Sequence, residues 1–257
     1  MSRGKPFRFI YLVAAAFCVS HAIAKPISFT EVRIPTRKSH VRLDLYQPKD
    51  QGPHPTILLL YGAGGLAFDG SRIRVFAQQL VSAGNIVYLP HYLDETGGFM
   101  AGPWNMRKDF DEWVESVRYA IAWIQKQPGS SAPIGIYGYS LGGFIALEAA
   151  SDNPQVGAVV DHAGGWAEGD MKPLGRMPPL LLFNGQRDHR VKYKKYVLPL
   201  FSYLEQHNIA YESRVFPTQG HKFKPAELED VRTQTIEFFR KHLKPAVSAS
   251  ALSQRSG

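Results

Sequence analysis

Thr56–Tyr61 is an unbroken apolar run that stops at Gly62-Ala63-Gly64-Gly65. A stretch apolar at every position has no solvent face, and this one is too short for a helix, so it reads as a strand covered on both sides. Similar short runs recur at Asn85–Leu89 (closed by Pro90), Ile134–Tyr137, Val156–Val160 and Pro179–Phe183, with a last strand at Tyr211–Phe216. Between them lie segments of helical length and spacing. Ser71–Ala83 places Ile73, Phe76, Ala77 and Leu80 on one face, and Asp109–Gln127 does the same with Phe110, Trp113, Val117, Ala120, Ile121 and Ile124. Leu141–Ala150, Lys194–His207 and Ala226–His242 complete the helices. Strands that alternate with helices imply an α/β fold: a mostly parallel central sheet flanked by helices on both faces. Ile27–Ile34 and His40–Tyr46 are joined by a turn too short for a crossover helix, so they are expected antiparallel at one edge. Residues 91–107 show no periodicity and read as a long loop. No linker divides residues 25–244, and the Ser/Ala-rich residues 245–257 are expected to form a flexible tail.

Residues 1–24 read as a targeting segment rather than as fold. Arg3, Lys5 and Arg8 precede the apolar stretch Phe9–Ser20, and Ala22-Ile23-Ala24 offers a small-residue cleavage site. This is the pattern of a signal peptide, so the mature chain is expected to be secreted or periplasmic, without stable membrane insertion. Its removal takes the single cysteine, Cys18, and lowers the formal charge from +8 to +5. The remaining charge is spread along the chain without a basic, aromatic-interleaved tract, which argues against nucleic acid as a partner. No H-x-H, H-E-x-x-H or paired-cysteine spacing is present, so neither metal nor other cofactor is expected.

The chemistry is expected at Gly138-Tyr139-Ser140-Leu141-Gly142, between a strand and a helix. The chain must turn sharply there, exposing the serine oxygen beside the free N–H groups of the helix start. A serine hydroxyl needs a base, and the base needs an orienting acid. Downstream, Asp188 follows the strand 179–183 and His221 sits between the last strand and the last helix, both in loops at the carboxyl ends of strands. Asp161 is the rival acid and His162 the rival base; His189 adjoins the acid too closely to reach back to it. The oxyanion hole is expected from the backbone N–H groups of Leu141 and Ala63.

With these parts in order, residues 27–243 resemble the α/β-hydrolase superfamily. Gly138-Tyr139-Ser140-Leu141-Gly142-Gly143, Gly185-x-x-Asp188 and Gly220-His221-x-Phe223 are similar to the dienelactone hydrolase-like group. The resemblance implies an α/β-hydrolase fold acting on a small-molecule ester. Two departures stand out: dienelactone hydrolases proper use a cysteine where this chain has Ser140, and a glutamate where it has Tyr61-Gly62. Ala163–Met177 is too short for a large cap domain. The expected site is therefore shallow, walled by Tyr92, Trp104 and Trp166, and suited to short acyl esters. Arg187 and Arg190 flank the acid and could meet a substrate carboxylate, though solvated surface residues look the same. A peptidase or amidase with the same triad, and a non-catalytic binding protein on the same fold, remain open alternatives.

Overall fold

The computed structural model describes residues 28–50, 52–127 and 133–243; the expected signal peptide and the tail lie outside them. Eight strands form one sheet: β1 (Thr30–Pro35), β2 (His40–Tyr46), β3 (Thr56–Leu60), β4 (Ile86–Pro90), β5 (Ile134–Tyr139), β6 (Val156–His162), β7 (Leu180–Gly185) and β8 (Tyr211–Phe216). Their order across the sheet is β1-β2-β4-β3-β5-β6-β7-β8. β1 pairs antiparallel with β2 and β2 antiparallel with β4; every later pairing is parallel. The central strands β3, β5 and β7 are buried at every residue, whereas the edge strands β1 and β8 are largely exposed. Continuous apolar runs thus sit where both faces are covered, as a parallel sheet requires.

Five α-helices cover the sheet among the described residues: α1 (Gly65–Ser82), α2 (Met106–Ile124), α3 (Leu141–Ala150), α4 (Leu198–Gln206) and α5 (Pro225–His242). Side-chain alternation along β5 separates two layers. Tyr137 meets Phe76 of α1, and Gly135 lies against Phe239 of α5. Gly138, on the opposite face, lies against the start of α3. α1 and α5 touch through Gln79 and Glu229, and α2 and α3 through the Arg118 guanidinium and the Glu148 carbonyl.

Some element boundaries differ from the sequence expectation. α1 starts six residues earlier than expected from helical spacing, at Gly65, with Gly64 as a cap that offers no side-chain bond. No Ser, Thr, Asp or Asn marks that start, and glycine is a poor helix former, so local propensity hid it. A tertiary contact fixes it instead. The segment 97–101 packs onto it, with the Ala101 N–H donating to the Ala63 carbonyl at 2.7 Å. The supposed loop 91–107 contains a 3-10 helix at Tyr92–Thr96 and the first two residues of α2. The helix expected from Lys194 begins as a π-turn at Tyr193–Val197 and becomes regular only at Leu198, where Pro199 fits the first turn.

Candidate active site

β5 and α3 meet at Ser140, whose φ of 56° and ψ of −120° lie outside the favoured regions for an L-residue. Such a backbone costs on the order of 1–3 kcal/mol and persists only where its surroundings enforce it. Two glycines make the turn possible. A Cβ at Gly138 would collide with the Gly142 carbonyl, and one at Gly142 would stand 2.6 Å from the carbonyl oxygens of Leu60 and Tyr61. The Ser140 N–H is tied to the His162 carbonyl at 2.9 Å. Leu141 is the first residue of α3, where an N–H has no intrahelical acceptor.

The loops after β7 and β8 bring Asp188 and His221 together: His221 Nδ1 lies 2.7 Å from Asp188 Oδ2. Asp188 is itself held. Its Oδ1 accepts the backbone N–H groups of Arg190 at 2.8 Å and Val191 at 2.9 Å. The Tyr139 hydroxyl donates to the His221 carbonyl at 3.2 Å, fastening the histidine loop to the strand end. Ser140, His221, Leu141 and Ala63 all line one cavity of about 890 Å³.

The rival acid and base point elsewhere. Asp161 is fully buried, wedged where a Cβ on Gly143 or Gly164 would strike it, and accepts the Gly164 N–H at 2.9 Å. Burial without a counter-charge pushes its carboxyl up to about 8. His162 is also buried, with Nδ1 hydrogen-bonded to the Tyr137 hydroxyl at 2.7 Å and aromatic rings around it. Burial drives its imidazole down to about 3, which keeps it neutral. Neither residue lines the cavity.

Asp161 carries a stability prediction. The unfolded chain ionises this acid near its ordinary value of 3.8, whereas the folded chain holds the proton until about pH 8. Between those values the folded state binds more protons, so the group lowers stability as pH rises. Asp161→Asn should remove that slope. Relative to wild type, the variant should gain up to about 4 kcal/mol between pH 5 and pH 8, measured by urea unfolding at each pH. A wild-type-minus-variant difference that does not change with pH would contradict the assignment.

The expected walls are corrected. Tyr92 is completely buried behind the site, stacked on Tyr61 at 4.5 Å and donating to the Tyr61 carbonyl at 2.8 Å. Trp166 is buried against Tyr203, with ring centroids 4.6 Å apart. Trp104 stands 80% exposed with its ring against Gly102, outside the cavity. The actual walls include Phe68, Met100, Phe110, Phe144 and Met171, so the site is a sizeable apolar chamber rather than a shallow depression. Arg190 lines the chamber; Arg187 does not.

Asp69 of α1 also lines it, and the sequence reading missed it because the start of that helix was hidden. Its buried carboxyl faces the Gly62 N–H and is raised mainly by desolvation. A Cβ on Gly62 would be 2.8 Å from Asp69 Oδ2 and 3.2 Å from Ser140 Cβ, which places the carboxyl behind the glycine loop and close to the serine. Among the described residues no cluster of three or more His, Cys, Asp or Glu side chains could hold a metal ion.

A strained serine between β5 and α3, on a sheet of this order, defines the α/β-hydrolase fold. A sequence profile of the dienelactone hydrolase family matches residues 41–243, and the chain belongs to that family. Among the solved structures that share the fold are two enzymes of this kind. The dienelactone hydrolase from Anabaena variabilis is 20% identical, with a TM-score of 0.61 over 86% of this chain and 100% of that one. A dienelactone hydrolase-like promiscuous phosphotriesterase from metagenomic libraries is 14% identical, with a TM-score of 0.71 over 84% of this chain and 99% of that one. The peroxisomal succinyl-coenzyme A thioesterase of Mus musculus is 28% identical over 172 residues, 65% of this chain. The match spans 33% of that enzyme's length.

Proposed function

We propose that this dienelactone hydrolase family member is a serine-dependent carboxylic ester hydrolase. The observation that carries the reading is the Asp188–His221 contact at 2.7 Å on the wall of the chamber that Ser140 also lines. In this reading Ser140 Oγ attacks the ester carbonyl carbon while His221 takes the hydroxyl proton. Asp188 holds the imidazole in the tautomer that can accept it. The N–H groups of Leu141 and Ala63 stabilise the oxyanion. Collapse of the tetrahedral species breaks the bond to the leaving alcohol, which receives the proton from His221. Water, activated by the same histidine, then releases the acid and regenerates Ser140.

The mouse relative is named for thioester cleavage, and a thioester would meet the same nucleophile and oxyanion donors, so thioesters belong among the tested substrates. Purified protein should hydrolyse p-nitrophenyl butyrate and butyryl-coenzyme A faster than peptide p-nitroanilides. The reverse order would make it an amidase, and no turnover of any of them would point to a binding protein.

The chamber changes the expected chain length from the shortest acyl groups to medium ones. Each methylene buried in it should add about 0.8 kcal/mol, roughly a fourfold gain in kcat/KM per carbon. The gain should run from acetate to about eight carbons and then stop. A series of p-nitrophenyl esters measures this. A maximum at acetate would mean that the acyl chain does not enter the chamber.

The reading includes export. The basic head and the Ala22-Ile23-Ala24 site support cleavage between Ala24 and Lys25. Intact mass of the protein recovered from the exported fraction should begin at Lys25, and a species retaining Cys18 would contradict it.

A further inference from the structure

Three aromatic side chains stand in solvent beside the chamber: Phe68 is 66% exposed, Phe99 72% and Trp104 80%. Single exposed apolar residues are ordinary, but a group on adjoining segments is not. Two contacts place the start of α1, which carries Phe68, beside the segment that carries Phe99 and Trp104. The Ala101 N–H donates to the Ala63 carbonyl at 2.7 Å, and the Phe99 carbonyl packs where a Cβ on Gly65 would otherwise sit. Phe68, Met100 and Pro103 line the chamber; Phe99 and Trp104 adjoin Met100 and Pro103 in the chain but stand outside it on the surface, Phe99 bordering a neighbouring cavity with Leu66 and Ala67.

The same chamber is ringed by cations. Arg107, Arg190, Lys195 and Lys222 line it, all four exposed, against two carboxylates. Of those, Asp69 is buried and Asp170 is paired with Arg107 at 2.7 Å. Arg190, Lys195 and Lys222 have no carboxylate partner among the described residues.

We propose that this aromatic and cationic mouth docks on an anionic lipid surface. Indole and phenyl rings settle at the boundary between headgroups and acyl chains. Lysine and arginine extend their charged ends to acidic headgroups from an apolar surface. A second copy of the chain fits this face poorly. A two-fold contact would bring the cationic rims of both copies together with no compensating acids. The chain as a whole is positive, with a formal charge of +8 that remains +5 once residues 1–24 are removed, so its long-range field draws it to the same kind of surface. No helix among the described residues is long and apolar enough to cross a membrane; the docking is peripheral. Its consequence is direct delivery. An amphiphile could pass from the lipid surface into the apolar chamber without its acyl chain crossing water.

Trp104 supplies the probe. Of the four tryptophans, Trp113 and Trp166 are buried and Trp123 is half-buried, so a shift in emission on docking reports chiefly on Trp104. The experiment titrates the protein with vesicles of phosphatidylcholine mixed with phosphatidylglycerol, and with vesicles of phosphatidylcholine alone. Cosedimentation and tryptophan emission are recorded at low and high salt. The mixed vesicles should bind the protein and shift its emission to the blue, and salt should weaken both effects. F99S/W104S should lose at least about tenfold in vesicle partition. Its kcat/KM on a soluble p-nitrophenyl ester should stay unchanged, since neither side chain lines the chamber. Equal partition of wild type and variant, or binding indifferent to phosphatidylglycerol, overturns the proposal. So does a concentration-dependent dimer in sedimentation that the double variant abolishes, which would assign the face to self-association. Docking without turnover of any ester would instead sink the hydrolase reading and leave this one standing.

Discussion

Ser140→Ala should lower kcat by about four to six orders of magnitude while leaving the fold intact. The size follows from how the parts depend on one another. Without the hydroxyl, His221 in the proposed mechanism has no proton to take, and its orientation by Asp188 serves nothing, so losing one member removes the contribution of all three. What survives is binding in the chamber and polarisation by the backbone N–H groups. Folding should survive because the backbone at residue 140, with φ at 56°, is enforced by Gly138, Gly142 and the Ser140 N–H bond to His162. None of these uses the side chain, and alanine meets the same backbone strain as serine. A fluorophosphonate should label the wild type at one site and the variant at none. Labelling that persists in the variant, or a loss of only tenfold, would place the nucleophile elsewhere.

How far the sequence alone could go depended on whether a residue's role was set locally or by distant packing. The strands β3, β5, β6 and β7 were legible because burial on both faces demands an uninterrupted apolar run, and that demand is local. The turn at Ser140 was legible for a similar reason. The close approach to Leu60 and Gly142 excludes a side chain at Gly142 and Gly138, and so writes glycine at fixed offsets. The chamber was not legible. Trp104 and Trp166 are the same residue type in segments of similar character, yet one is 80% exposed and the other 7%. Their difference comes from Tyr203, which covers Trp166 from a helix far along the chain, and no counterpart covers Trp104. Tyr92 was misassigned in the same way. Its hydroxyl is spent on the Tyr61 carbonyl, a partner set by the adjacency of loops and not by spacing. Asp161 and Asp188 also looked alike, each an acid near the end of a parallel strand. Asp161 is the penultimate residue of β6 and is shut in by Gly143 and Gly164, while Asp188 lies in the loop beyond β7 and is free to turn toward His221.

That last distinction can be measured directly. Asp188→Asn should cost about 10⁴ in kcat with little loss of stability. The asparagine carbonyl can still accept the N–H groups of Arg190 and Val191, which hold residue 188 in place. Its amide nitrogen then faces His221 Nδ1 in place of the carboxylate oxygen that lies 2.7 Å away in the wild type. An amide N–H in that position donates to Nδ1, and the imidazole proton moves to Nε2. The ring can then no longer take a proton from Ser140, and it loses the negative charge that favours imidazolium. Binding is untouched, so the loss should fall on kcat, with KM changed by less than about threefold. Asp161→Asn is the control, since that carboxyl holds its proton up to about pH 8 and faces Gly164 rather than His221. It should retain kcat within about threefold at pH 7, because an amide there resembles the protonated acid it replaces. Thermal unfolding of both variants separates lost chemistry from lost fold. If Asp161→Asn is the crippling change and Asp188→Asn the mild one, His221 is oriented by a different acid and the Asp188 contact is only structural.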